Sequence, residues 1–327
     1  MPGFLKSGMV RLLSALIVCL LLAPAAQAQE AFTFVALGDM PYNKPEVNYP
    51  KFRALIGAIN EVGPAFSVHV GDIKSGSSPC SDEEFTNELG FMNSFATGLV
   101  YAIGDNEWTD CHRKDAGGYD PLERLATLRK MFFASDKSLG AKPIEVERQA
   151  DLMPEFKTYV ENARWMKNEV LFFTVNIPGS NNNFEARDPN MIAEYFARDK
   201  ANIAWIKDAF TKAIERNARA VVFAIQADPF EGAGPHEVFP TSSGFKASIG
   251  DTFLPLAEAF KKPVLFIHGD THVLRIDQPF KNAKGAPIAN LTRLEVFGDQ
   301  LMHAVKVTVA PAKRDIFAFQ PIYNPTE

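Results

Sequence analysis

Four apolar runs of this chain end in the same dipeptide. FTFVALGD closes on Asp39, AFSVHVGD on Asp72, GLVYAIGD on Asp105 and PVLFIHGD on Asp270, and His272 follows the last by two positions. Aspartates gathered in one place repel one another unless a cation lies between them. Carboxylates with an imidazole are a donor set for divalent ions. A single Gly-Asp is a common turn or helix-cap pair, and Gly298-Asp299 reads that way. Four such pairs at the ends of apolar runs, with a histidine beside the last, point to a metal cluster instead.

For these side chains to meet, the runs must be neighbouring strands. Runs rich in Val, Ile and Phe at 31–37, 65–70, 98–103, 170–177, 220–225 and 263–267 alternate with helical patterns at 51–62, 82–95, 121–133, 189–216 and 247–260. This alternation predicts α/β layers with largely parallel strands. In such sheets ligands bind outside the carboxyl ends of the strands, where a glycine lets the backbone turn sharply. After Thr271 shorter strands at 273–277, 291–297, 304–309 and 315–319 predict a meander completing a second sheet. Residues 135–165 are the least regular and read as an excursion over the surface. No Pro/Ser-rich linker divides residues 29–327, which read as a single domain.

The ordered blocks GDMP from Gly38, VGDIKSG from Val70, GDNEW from Gly104, IQADPF from Ile225 and GDTH from Gly269 resemble the calcineurin-like metallophosphoesterase superfamily. That family's order is GD-x-H, GD, GNH-[ED], a lone His and GH-x-H. The resemblance runs from Asp39 to His272, and Ala204-Trp205-Ile206 ahead of the 220–225 run also looks like the family. It implies an α/β fold, a four-layer α/β/β/α sandwich of two mixed sheets flanked by helices. It also implies two adjacent divalent ions. Asp72 would bridge them, Asp39 and His272 would complete one site, and Asp105, Gln226 and Asp270 the other.

Several positions depart from the family. Pro41, with Tyr42 beside it, stands where the first-block His would be. Asp105 replaces the third-block Asn, Asn106 the His after it, Gln226 the lone His and Asp270 the first His of the last block. Only Asp39, Asp72 and His272 are unchanged. An all-oxygen second site suits Mg²⁺, Mn²⁺ or Ca²⁺ better than Zn²⁺ or Fe.

The activity so implied is hydrolysis of a small phosphate ester, monoester or diester, by a water or hydroxide that the ions bind and acidify. The family's third-block His assists the leaving group. Asn106 does not titrate, but it can hydrogen-bond a phosphoryl oxygen. Acid catalysis is worth about 10²–10⁴-fold, so this chain would be slow, would select good leaving groups or would recruit another acid, with His112 nearest in sequence. His69 and His268, inside apolar runs, read as packed or supporting residues. Asn181 and Asn182, after the 170–177 run, would sit on the metal-bearing rim and bind phosphate or sugar hydroxyls, a plain turn being the equal alternative. The Gly/Pro-rich segment 230–245 with His236 would cover the site. Arg164 and Trp165 read as packing, with stacking on a substrate the lesser alternative.

The missing histidines motivate a second reading, a catalytically degenerate protein that binds a metal or a phosphate ligand on the same fold. Oxygen donors at Asp105, Gln226 and Asp270 together favour the enzyme. A third reading treats the fold as an interaction module and the Gly-Asp pairs as turns, and it predicts no tight metal. A serine hydrolase is unsupported, since no G-x-S-x-G occurs.

Composition bounds all of these. With 327 residues, 46% of them apolar, the chain can bury a large core. Lys6 and Arg11, the apolar stretch 12–22 and Ala26-Gln27-Ala28 read as a secretory signal peptide over residues 1–28. The stretch is too short, and broken too early by Pro24, to span a bilayer, and Val18 is too bulky ahead of Cys19 for a lipid anchor. The expectation is a secreted or periplasmic protein with no membrane contact after cleavage. Its formal charge of −5 becomes −7 once Lys6 and Arg11 leave with a leader that holds no acid, and no basic patch suggests nucleic acid. Cys80 and Cys111 remain and should pair in an oxidising compartment. Nothing in the sequence sets the oligomeric state.

Overall fold

The structure is a computed structural model describing residues 1, 3, 30–186, 188–230 and 243–327. The expected signal peptide and His236 lie outside the described residues. The strands in chain order are β1 (Phe32–Leu37), β2 (Phe66–His69), β3 (Gly98–Tyr101), β4 (Glu147–Arg148), β5 (Ala163–Lys167), β6 (Val170–Thr174), β7 (Ala220–Ala224), β8 (Val264–His268), β9 (Arg275–Asp277), β10 (Leu291–Glu295), β11 (Ala304–Val309) and β12 (Phe317–Ile322).

They form two mixed sheets, ordered β12-β11-β1-β2-β3 and β4-β5-β6-β7-β8-β10-β9. In the first, β1, β2 and β3 are parallel while β11 and β12 run antiparallel to their neighbours. In the second, β6, β7, β8 and β10 are parallel and the strands at either edge antiparallel. Each central strand is buried on both faces, which is why its sequence is a continuous apolar run rather than an alternation.

Three cores separate four layers. Phe34, Phe66 and Val68 of the first sheet meet Phe172, Val222, Leu265 and Leu294 of the second. Phe34 stacks on Phe66 at 5.6 Å and meets the edge of Phe172 at 5.3 Å. The outer face of the first sheet, with Val35, Leu37 and Leu99, packs on Phe52, Phe85 and Leu125 from the helices Pro45–Val62, Asp82–Asn93 and Pro121–Phe132. The outer face of the second, with Phe173, Phe223 and Phe266, packs on Trp205, Phe210 and Phe260 from the helices Pro189–Glu215 and Leu254–Phe260. Full burial of one such aromatic contributes about 1.5–3 kcal/mol. The α/β/β/α sandwich of two mixed sheets is thus observed.

Helix starts follow capping chemistry. Asp120 accepts the N–H of Leu122 and Asp188 those of Asn190 and Met191, each with a proline opening the first turn. The first helix starts at Pro45, six residues earlier than expected, with Pro50 in its second turn. The expected helix 247–260 divides into a π-helical stretch, Lys246–Phe253, and the α-helix Leu254–Phe260.

Two expectations are corrected. The last strands do not form one meander. β9 and β10 extend the second sheet, whereas β11 crosses back to pair with β1 of the first, where Val305, Val307 and Val309 join the inter-sheet core. Segment 135–165 is also more than a surface excursion. It carries β4, which pairs with β5, and Leu139 bridges to Leu99.

Candidate metal centre

Level strand ends bring the Gly-Asp pairs together. Leu37 pairs with His69, His69 with Tyr101, and His268 with Glu295, so the loops that follow leave the two sheets along one rim. Asp39, Asp72, Asp270 and His272 all have left-handed backbones, with φ of 55°, 54°, 83° and 62°. Such conformations in non-glycine residues cluster at functional sites. The two sheets are tied here by the Asp270 N–H, which donates to Asp39 Oδ1 at 2.9 Å.

The ligand oxygens of Asp72, Asp105 and Asp270 lie within 4.8 Å of one another. Asp39 Oδ2 is buried without a partner, and His272 Nε2 stands 3.8 Å from Asp39 Oδ1. Burial, opposed by the Asp270 N–H and reinforced by the charge of Asp105, holds the Asp39 carboxyl well above the usual carboxylate range. Asp72 is pushed up likewise, by burial and then by Asp105, Glu107 and Asp39. A divalent ion is what a carboxylate-rich donor set of this kind accommodates.

A buried scaffold orients them. Asp72 Oδ2 accepts from the Tyr42 hydroxyl at 3.0 Å and from Asn106 Nδ2 at 2.8 Å, and the Asn106 backbone N–H reaches Oδ1 at 3.2 Å. Tyr42, beside the proline that replaces the family's first histidine, also sets its ring against His272, at 5.3 Å. Glu107 Oε1 accepts from Tyr101 Oη and Gly104 N at 2.6 Å and from Asp72 N at 3.1 Å. Lys74 is fully buried and donates to the carbonyls of Asn106 at 2.6 Å and Ser75 at 2.8 Å. His69, lowered to about 4 by burial, is neutral and joins the first two loops through Met40 O and Gly71 N. Cys80 and Cys111 form a disulfide with a Cα–Cα distance of 5.8 Å, and both sulfurs approach the Asn106 carbonyl.

Sequence reasoning missed Tyr42, Glu107 and Lys74 as parts of this scaffold. The acid in GDNEW was a readable signal for Glu107, but a lone lysine or tyrosine in a loop carries none. Asp110 was missed too. It accepts from Ser180 Oγ at 2.9 Å, pairs with Arg113 at 2.7 Å, and is raised to about 6 by burial and then by the charge of Asp105.

Other expected site residues have different partners. Gln226 touches the cluster, but its Oε1 accepts the Gly179 N–H while Nε2 donates to Asp270 Oδ1 at 3.1 Å. Residues 180–183 form a left-handed turn with φ between 47° and 59°. Within it Asn181 is engaged with Gly244 N and Phe184 O, and Asn182 with Gly244 O and Arg198, so both amides hold the turn itself. Gly179 passes so close to the cluster that a Cβ there would stand 2.8 Å from oxygens of both Asp105 and Asp270. His112 is exposed and bonded to its own turn at Thr109 O. Arg164 is packed over Trp205 and paired with Glu147 and Asp208, and Trp165 stacks on Phe172. Gly298 is more than a turn residue, since a Cβ there would strike the His272 ring at 2.4 Å.

A dimetal phosphatase from Danio rerio matches with a TM-score of 0.53 over 91% of this chain and 100% of its own, at 11% identity. This chain has the calcineurin-like metallophosphoesterase fold. Also similar are a purple acid phosphatase from yellow lupin seeds (TM-score 0.49, 10% identity, 90% of this chain and 54% of that one) and TT1561 of Thermus thermophilus (0.45, 8%, 89% and 98%). No protein-family model and no curated protein sequence matches the chain. On this metallophosphoesterase fold, the strand ends of both sheets face the rim that carries the acidic cluster. Among the described residues no helix is long and apolar enough to cross a membrane.

Proposed function

We propose that this chain is an exported metal-dependent phosphoesterase acting on a small phosphate ester, monoester or diester. One observation carries the reading: Asp72, Asp105 and Asp270 converge within 4.8 Å at the strand ends of a fold shared with a dimetal phosphatase. Asp39, Asp72 and His272 would hold one divalent ion, and Asp72, Asp105 and Asp270 a second. Gln226, whose oxygen is taken by Gly179, orients Asp270. Four carboxylates against one imidazole favour Mg²⁺, Mn²⁺ or Ca²⁺ over Zn²⁺ or Fe. Bound divalent ions supply charge that offsets the phosphoryl oxygens and acidifies water. Asn106 fixes the Asp72 carboxylate, its side-chain amide donating to Asp72 Oδ2 and to the Tyr42 hydroxyl.

Residues 1–28 act as the leader and 29–327 as one domain of this fold, delivered to the periplasm or the exterior. The Cys80–Cys111 bridge fits an oxidising compartment.

A second reading is a protein of the same fold that binds a metal or phosphate without turnover. The backbone of Gly179 lying against Asp105 and Asp270 favours it, as does the absence of a titratable group at Asn106. The deciding experiment is hydrolysis of aryl phosphate mono- and diesters by metal-stripped protein resupplied with single divalent ions, beside Asp72→Asn. Ion-dependent turnover lost in the variant supports the enzyme. Ion binding without turnover on these activated esters selects the second reading, and absence of ion binding removes both.

A further inference from the structure

Behind the acidic cluster, on the outer face of the second sheet, lies a second group of ligand atoms. His268 closes β8, Glu295 closes the neighbouring β10 at the paired position, and Asp228 lies in the loop after β7. All three are buried, with 0%, 0% and 2% exposure, and one ligand atom from each lies within 4.8 Å of the other two. None of them is one of the four Gly-Asp aspartates or His272.

The imidazole sets the chemistry. His268 Nδ1 faces the Gly269 carbonyl at 2.9 Å, and a carbonyl only accepts, so Nδ1 carries the proton. The neutral ring then presents a lone pair at Nε2, which has no hydrogen-bond partner although it is buried. An imidazole whose other nitrogen is anchored on a backbone carbonyl is the usual arrangement of a metal-ligating histidine. No hydrogen bond joins this ring to either carboxylate, so a proton does not settle the three groups.

The carboxylates are held as ligands are held. Glu295 Oε1 accepts Val273 N at 3.1 Å and lies 2.6 Å from the Thr271 hydroxyl, which is also 3.1 Å from Asp228 Oδ2. Asp228 Oδ1 accepts Phe230 N at 2.9 Å. Arg275 contacts Glu295 Oε2 and approaches Asp228 Oδ2 at 3.7 Å. Arg275 is thus within ion-pair reach of both carboxylates, and Arg293, paired with Asp277, adds its charge at longer range.

We propose that Asp228, His268 and Glu295 bind a third, structural divalent ion of the zinc class, distinct from the pair assigned to Asp39, Asp72, Asp105, Asp270 and His272. An imidazole and two carboxylates are donors that Zn²⁺ accepts. The ion braces the cluster from behind, because the Asp228 N–H donates to Asp270 Oδ2 at 2.9 Å.

The test uses the full chain, stripped with a chelator and titrated with Zn²⁺ alone. Bound zinc per chain, the thermal midpoint and zinc-edge X-ray absorption are read for wild type, Asp72→Asn, Asp228→Asn and His268→Gln. Wild type and Asp72→Asn should share a zinc site with an imidazole nitrogen in its shell, and Zn²⁺ should raise both midpoints. Asp228→Asn and His268→Gln should weaken that site by about 100-fold or more. Zinc binding unchanged in Asp228→Asn overturns the proposal, as does loss of all zinc binding in Asp72→Asn. Should His268→Gln fail to fold by circular dichroism, Asp228→Asn, which keeps the side-chain volume, decides. Because Asp72→Asn separates the two sites, failure here leaves the phosphoesterase reading standing, and the reverse also holds.

Discussion

Asp39 and Asp270 are 231 positions apart and joined directly, the backbone N–H of the second donating to Oδ1 of the first at 2.9 Å. The bond ties the loop after β1 in one sheet to the loop after β8 in the other. It forms only because residue 269 has no side chain, since a Cβ there would stand 2.1 Å from Asp39 Oδ2. Gly269→Ala should therefore destabilise the fold by about 1–3 kcal/mol and weaken divalent-ion binding. Urea unfolding and ion titration measure both, and a neutral result would show that the two loops can separate freely.

Tyr42→Phe removes a hydroxyl that donates to Asp72 and accepts from Asn106. The expected loss is about 1–3 kcal/mol in the metal-free protein. Addition of Mn²⁺ should narrow the difference, because an ion on Asp72 replaces the lost hydrogen bond. An equal deficit with and without ion would mean that Tyr42 acts through packing alone.

Stability should fall as pH rises. Burial raises Asp110 from 3.8 to about 6 and lifts Glu88 well above its ordinary value. The folded chain thus holds these protons more tightly than the unfolded chain does. The stability they contribute is full below about pH 4, the unfolded value, and for Asp110 it is lost as pH passes through about 6. The thermal midpoint of metal-free protein should drop across this interval, less steeply in Asp110→Asn. A midpoint that climbs from pH 4 to 7 would reverse the assignment.

Reduction of Cys80–Cys111, which are 31 positions apart, should cost about 3–4 kcal/mol by releasing the loop. The closed segment holds Asp105 and Asn106, so ion affinity should fall with stability in Cys80→Ser/Cys111→Ser. Retained affinity would show that Glu107 and Lys74 suffice to shape the loop.

Turnover on a series of aryl phosphates should decline steeply with leaving-group pKa, because Asn106 cannot deliver a proton. A shallow slope would demand an acid, and Asp110→Asn would then steepen it if that carboxyl is the donor.

The parts of this molecule that obey a local rule were readable from sequence. Apolar runs buried on both faces marked the central strands, and Gly-Asp at their ends marked the rim. The helical patterns at 121–133 and 189–216 began where Asp120 and Asp188 cap the helices. What escaped depends on contacts between distant segments. The pairing of β11 with β1 rather than with β10 joins segments more than 260 positions apart in register Phe32–Val309. Tyr42, Lys74 and Gly298 acquire meaning only once Asp72, Asn106 and His272 are beside them. Asn181 and Asn182 likewise take partners from distant segments, Gly244 and Arg198, more than fifteen positions away.

The left-handed backbones of Asp39, Asp72 and Asp270 restrict which replacements these positions tolerate. Asparagine and glycine adopt that conformation readily, whereas β-branched and bulky residues are strained in it. A library selected for folding alone, with no ion and no ester present, would still return Asp, Asn or Gly at 39, 72 and 270. Recurrence of aspartate there in other chains would thus reflect backbone geometry as well as chemistry. Exchange of aspartate for asparagine keeps the geometry and removes the charge, which makes it the substitution that isolates the metal.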